Sequence, residues 1–237
     1  MTVAVMQPYV FPYIGYFQLI NASDVFVFYD DVNFIKQGWI NRNRTLLNGK
    51  PFLFTIPVEQ ISSFKEIRDV RIHLRNYGSW KKKFLKTLEQ SYRVAPYFFV
   101  TMELVSTTLN SNFENIGELA EHSIKSISNY LGLRTTFLKS SVEFASTKNL
   151  ERTERLIKIC KSCKSENYIN PIGGTELYEK ADFNQNGLTL QFLKSSDKMF
   201  YKQGNATEFV SGLSIIDVLM FNSPSDIKEL LTAYNLS

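Results

Sequence analysis

Histidine is scarce: the 237 residues hold two, His73 and His122. An imidazole-based triad or a histidine-ligated metal site has too little to be built from, so any general base falls to a carboxylate. Cysteine is equally scarce. Cys160 and Cys163, in "CKSC", are too few for a secreted disulfide framework. They fall near the end of a predicted helix, where the dipole disfavours a thiolate, and no further Cys or His pair lies nearby to complete a metal site. Long apolar runs are missing too: none approaches the roughly 20 residues that a spanning helix needs, and "MTVAVMQPYV" lacks the layout of a signal peptide. The expectation is a cytoplasmic protein with no membrane span. The formal charge of +4 is mild; it permits a phosphate-bearing ligand and falls short of a nucleic-acid signature, so no specific nucleic acid is expected. With no repeat, no low-complexity tract and no Gly/Ser linker, residues 1–237 are expected to form a single domain.

What the chain does have is rings, 12 tyrosines and 19 phenylalanines, most of which must fill a core. Short β-branched and aromatic runs at 2–6 and 24–30, with a helix-compatible stretch at 14–21 between them, predict β-α-β. Further strands are predicted at 52–58, after the turn "NGKP", and at 67–74. Ser79 could cap a helix in which Trp80, Phe84, Leu88 and Tyr92 recur at helical spacing, and helices are predicted at 96–110 and 114–131. The last third alternates strand 135–144, helix 149–163, strand 167–170, helix 174–181, strand 188–193 and helices 213–221 and 224–233. This interleaving predicts an α/β fold of three layers, Rossmann-like, with a largely parallel sheet and helices on both faces. In such folds ligands sit beyond the carboxyl ends of the strands.

Three strand-exit loops carry suitable chemistry. The first, "QPYVFPYIGYFQLI" (7–20), offers Gln7, Tyr9, Tyr13 and Tyr16 around prolines and Gly15, either as an aromatic wall for a ligand or as the core of a tight turn. The second, "YDDVNFIKQGWINRNR" (29–44), has two adjacent carboxylates, Asp30 and Asp31, as candidate bases. Lys36, Asn41, Arg42, Asn43 and Arg44 suit phosphate or carboxylate oxygens, and Trp39 can stack on a base or sugar. The alternative is a solvated loop with internal Asp–Arg pairs. The third, "NPIGGTELY" (170–178), exposes backbone N–H groups at Gly173 and Gly174 beside Asn170 and a predicted helix start, where Thr175 could cap; a plain glycine turn reads equally well. Gln203, with Tyr201 and Lys202, precedes a helix containing Asp217, which serves either as a buried ligand contact or simply as an exposed or network-bound residue.

Four blocks, "QPYVFPYIGYFQLI", "DDVNFIKQGWINRN", "NPIGGTELY" and "LSIIDVLMFN", spread over nearly the whole chain, together resemble the WbqC-like family. That resemblance implies a setting in the building of bacterial O-antigen and related surface polysaccharides, without a defined reaction. The first β-α-β also resembles, more faintly, nucleotide-binding enzymes of the pantothenate synthetase type. Those enzymes place histidines where this chain has Tyr13, Gly15, Tyr16 and Phe17, which puts histidine-assisted nucleotidyl transfer in doubt.

The leading expectation is a transferase that N-acylates or aminoacylates a nucleotide-linked amino sugar, with a separate acyl or aminoacyl donor. Arg42, Arg44 and Lys36 would hold the diphosphate, Trp39 and the tyrosines would stack, and Asp30 or Asp31 would take the amine proton. One alternative is an ATP-dependent ligase or nucleotidyl-transfer enzyme with magnesium on Asp30 and Asp31 and phosphate on the Gly173–Gly174 amides. Another is a non-catalytic partner of polysaccharide enzymes.

Overall fold

The structure, a computed structural model, describes residues 1–60, 62–196, 200–204 and 208–237. The chain opens with β1 (Thr2–Met6), α1 (Ile14–Asn21), β2 (Val25–Phe28), β3 (Arg42–Leu47) and β4 (Lys50–Thr55). Three longer helices follow, α2 (Leu74–Tyr92), α3 (Phe98–Asn110) and α4 (Ile116–Tyr130), before β5 (Thr136–Lys139). The remainder runs α5 (Ser140–Glu143), α6 (Arg152–Ser162), β6 (Asn167–Pro171), α7 (Lys180–Asn184), β7 (Thr189–Ser195), α8 (Ile215–Phe221), α9 (Pro224–Thr232) and β8 (Tyr234–Leu236).

Six of these strands form one sheet in the order β5-β2-β1-β6-β7-β8, and only the edge strand β8 runs antiparallel to its neighbour. Strand alternation sorts the core into two halves. Val3, Val5, Val25, Val27, Leu190 and Phe192 pack against α6 and against Phe183 of α7. Ala4, Phe26, Phe28, Ile169 and Leu193 pack on the other side against α1, α4 and α9. Helices therefore cover both faces, as the alternating sequence predicts. Beyond the second face, α2 and α8 pack on the β3–β4 hairpin, whose two-residue turn is Asn48–Gly49 with positive φ at both positions (52° and 73°). Such a turn matches the right-handed twist of the flanking strands and favours Asn-Gly.

Several boundaries depart from the sequence pattern. Residues 67–74 form no strand: Ile67–Asp69 is a short 3-10 turn and α2 starts at Leu74. Ile67, Val70 and Ile72 are all buried, a 3-then-2 spacing that anchors an irregular segment and not a pleated one. The helix also starts before Ser79, whose hydroxyl donates to the Asn76 carbonyl from inside α2. The predicted strand 135–144 stops at Lys139, because Ser140 turns its hydroxyl onto Asp30 and Asp31. The expected helix 174–181 is a 3-10 turn, Ile172–Glu176, followed by the five-residue α7. The expected loop 29–44 ends in strand: β3 starts at Arg42.

Candidate functional site

The parallel strands are laid down outward in two directions, β1 to β2 to β5 on one side and β6 to β7 on the other. The reversal falls between β1 and β6, the topological switch point where diverging crossovers leave a crevice beyond the strands' carboxyl ends. A cleft of about 850 Å³ opens there. Its floor comes from the ends of three strands: Val5 and Met6 at the end of β1 with Gln7 after it, Tyr29 and Asp31 after β2, and Asn170 and Pro171 at the end of β6. That volume suits a small-molecule ligand of nucleotide size.

One wall is built on charge. Asp31 accepts from Arg155 Nη2 at 2.7 Å, and its other oxygen lies 2.5 Å from the Ser140 hydroxyl. Both members of this ion pair are almost wholly buried. Arg155 Nε also donates to Thr147 Oγ1 at 3.2 Å, and its guanidinium lies 4.6 Å from the Tyr29 ring centroid. Asp30, next in sequence, does not line the cleft. It is buried, with one oxygen accepting from the Ser141 N–H at 3.0 Å and the other from the Ser141 hydroxyl at 2.6 Å. One guanidinium and several fixed dipoles thus stabilise two adjacent carboxylates, and the short helix α5 exists to supply those dipoles.

The opposite wall is glycine and amide. Gly173 and Gly174 sit in the 3-10 turn after β6, and a Cβ on Gly173 would meet nothing within 4 Å. A Cβ on Gly174 would fall 2.1 Å from Asn170 Oδ1, so only glycine lets Asn170 pack there. Asn170 is further held by donating to the Tyr168 hydroxyl at 2.7 Å. Thr175 spends its hydroxyl on the Ile172 carbonyl at 2.9 Å instead of capping a helix, so the expected helix N-terminus at the glycines is not formed.

Tyr9, Tyr29 and Tyr178 line the cleft with rings. Burial pushes the Tyr9 phenol up to about 12, with neighbouring Tyr13 adding to the shift. Burial likewise raises Tyr29 and Tyr178, while Arg155 pulls Tyr29 back down and Arg152 does the same for Tyr178. All three stay neutral near pH 7 and present O–H donors beside apolar faces. At the mouth, Arg152 at the start of α6 is exposed and forms no ion pair among the described residues, while Lys148 pairs with Glu66, which also takes Arg68 at 2.8 Å.

Of the residues anticipated from sequence, Gln7, Tyr9, Asp31, Asn170, Gly173 and Gly174 meet at this cleft. The others lie elsewhere. Tyr16 is buried and donates to the Gln7 carbonyl at 2.9 Å, which fixes the loop beneath Tyr9. Tyr13 pairs by an isolated bridge with Ser214. Asn41 and Asn43 are buried and donate to the carbonyls of Ile56 and Phe11, tying β3 to its neighbours. Lys36, Trp39, Arg42 and Arg44 are absent from the cleft lining, so the expectation that they and Asp31 enclose one guest is corrected. The chain turns away at Gly38, whose N–H donates to the Ile35 carbonyl at 3.0 Å, so Ile35 lines the cleft and Trp39 does not. Gln203 and Asp217 belong to a sealed network: Asp217 accepts from Tyr92 at 2.8 Å, Tyr201 at 2.6 Å and Gln203 at 3.0 Å.

Sequence reasoning missed Tyr29, Arg152, Arg155 and Tyr178. Arg152 and Arg155 carry a usable signal, two arginines three apart in a predicted helix directly following a strand. His122 is half-buried against Phe113, with ring centroids 5.0 Å apart, and burial lowers its pKa. Cys160 is buried within α6, and burial pushes its thiol up to about 12, which makes it inert.

Comparison with known proteins adds the lineage. The model of the WbqC-like protein family matches residues 7–229. The chain belongs to the WbqC-like protein family. That match runs from Gln7, at the end of β1, to Glu229 in α9, and so spans every cleft-lining element except β1 itself. Among curated relatives, the chain is 28% identical over 233 residues to the uncharacterized protein Rv1507c of Mycobacterium tuberculosis, covering 97% of this chain and 96% of that one. No solved structure matches the chain.

Proposed function

We propose that this WbqC-like chain is a transferase of bacterial surface polysaccharide biosynthesis that binds a nucleotide-linked amino sugar in the switch-point cleft and adds an acyl or aminoacyl group to its amine. The observation that carries the reading is the Arg152 guanidinium, which forms no ion pair among the described residues, in a cleft whose other charged side chains pair with one another, Arg155 with Asp31 and Lys148 with Glu66, beside tyrosines, amides and glycine backbone. A cationic fork beside rings and amides suits a diphosphate flanked by a base and a sugar. Arg152 takes the role first assigned to Arg42, Arg44 and Lys36.

Of the Asp30–Asp31 pair, Asp31 is the member that lines the cleft, and it is the one to receive the proton. The sugar nitrogen forms the new amide bond as the donor's bond from acyl carbon to leaving group breaks, and the amine proton passes to Asp31. Such a nucleophile needs deprotonation and positioning more than a histidine relay. The same geometry weighs against the magnesium-dependent alternative. Asp30 and Asp31 direct their oxygens at Ser140, Ser141 and Arg155, so the pair does not fit a hydrated magnesium ion, which keeps most of its own waters and needs open carboxylate oxygens.

Calorimetric titration with a panel of nucleotide-linked amino sugars tests the reading, followed by acyl-donor addition with the sugar's mass as readout. Binding of one member, a gain of one acyl mass, and loss of binding in Arg152→Gln are expected. Absence of heat with every member of the panel overturns it. An Asp31→Asn protein that folds, binds sugar and still acylates it at the parent rate removes Asp31 from the chemistry.

A further inference from the structure

The segment 31–44 frames two different places. Its first half lines the cleft, and its second half builds a separate cluster around Trp39. There the Arg42 and Arg44 guanidiniums lie 5.6 and 5.7 Å from the indole centroid, and Trp39 is 42% exposed. An exposed tryptophan flanked by two arginines is costly as mere solvation, because indole surface is left in water and two like charges are held together.

Local structure keeps the two arginines where they are. Arg42 Nε donates to the Gly38 carbonyl at 2.8 Å, and Arg44 Nη2 donates to the Gly212 carbonyl at 3.2 Å. Gly212 has φ +65°, and a Cβ there would come within 3.1 Å of Arg44 Nη2, so glycine makes room for the guanidinium. What these contacts lack is negative charge. Among the described residues no ion pair involves Lys36, Arg42 or Arg44, and Arg44 Nε is buried with no acceptor.

The geometry points to a second ligand site, a diphosphate-binding patch formed by Trp39, Arg42 and Arg44, outside the cleft. Two guanidinium forks about one indole match the several oxygens of a diphosphate better than one carboxylate, and the exposed part of Trp39 can meet whatever ring or chain the diphosphate carries. The patch is coupled to the cleft through backbone. Val10 N–H donates to the Ile40 carbonyl at 3.0 Å, Asn43 donates to the Phe11 carbonyl at 2.7 Å, and the same 7–13 segment carries Gln7 and Tyr9 into the cleft. The inference stands whatever fills the cleft.

Trp39 supplies its own reporter. Trp80, the other tryptophan, stacks on Tyr77 and Phe84 within α2, so Trp80→Phe leaves emission from Trp39 alone. Titration of that protein with inorganic pyrophosphate is expected to give a saturable change in emission. Arg42→Gln and Arg44→Gln, each checked for a parent-like thermal melt, are expected to weaken the midpoint by about tenfold or more, and Arg152→Gln, at the cleft, to leave it in place. If Arg44→Gln fails to fold, Arg42→Gln carries the test. No saturable change, the same change with potassium chloride at matched ionic strength, or a midpoint that moves with Arg152 and not with Arg42 overturns the inference.

Discussion

Two buried aspartates, Asp31 and Asp217, are held in opposite ways. Asp31 sits at the edge of the cleft against a guanidinium, a hydroxyl and an aromatic ring. Asp217 sits inside α8 with neutral donors only, the phenols of Tyr92 and Tyr201 and the amide of Gln203. Tyr92 also accepts from the Leu46 N–H at 2.8 Å, so the Asp217 network ties α8 to α2 and to β3. A full counter-charge is used where the strand ends meet a cleft that a ligand can enter. Neutral donors suffice where the job is to bind three elements together, and there burial raises the Asp217 pKa despite the three hydrogen bonds pulling it down.

The largest effect is expected from breaking the first arrangement. Arg155→Met leaves Asp31 buried without its counter-charge and should cost about 3–5 kcal/mol in urea unfolding. Adding Asp31→Leu to that variant should restore part of the loss, since an apolar pair leaves no stranded charge. A double variant as unstable as the single one would mean that Arg155 acts through packing on Tyr29 and not through charge.

Asp217→Asn should cost less, about 1–3 kcal/mol, because the amide oxygen still accepts one phenol. Its signature is pH. The folded-state pKa of Asp217 lies above its usual 3.8, so the native state holds this proton more tightly than the unfolded chain does. That stabilisation is fully present below the unfolded value and is lost as pH rises through the folded one. The asparagine variant has no such dependence, so the stability gap between parent and variant should be wider near about pH 4 than near about pH 8. A gap that narrows on acidification contradicts the sealed-network account.

The smallest effect belongs to the rim. Lys148 and Glu66 bridge at the cleft mouth, but the lysine side chain is 41% exposed, and water screens the pair. Lys148→Gln should change stability by less than about 1 kcal/mol. A loss as large as that of Arg155→Met would erase the distinction between buried and exposed pairs.

The layered architecture was legible because strand alternation and helix spacing are local. Val3 and Val5 against Ala4, or Phe84, Leu88 and Tyr92 along α2, declare their faces within a few residues. Half of the cleft was legible as well. Gln7, Tyr9, Asp31 and the "NPIGG" turn each follow a strand, and strand ends of a parallel sheet share one edge. The rest was not. Ser140 reads as the middle of a strand, and only the carboxylates lying more than a hundred residues away in sequence turn it into α5. Arg155 reads as a solvated helix residue until Asp31 is opposite it.

By itself the sequence determined the α/β layering, the scarcity of imidazole and thiol chemistry, and the concentration of polar groups in the loops after β1, β2 and β6, since each depends on residue type and short-range period. Tertiary structure alone decided which of those loops face one another. It sent Asp31 to Arg155 and Arg42 and Arg44 to a separate patch, because a few backbone hydrogen bonds at Gly38 and β3 set the direction of the chain, and no local pattern encodes where a turning chain will next meet its own distant segments.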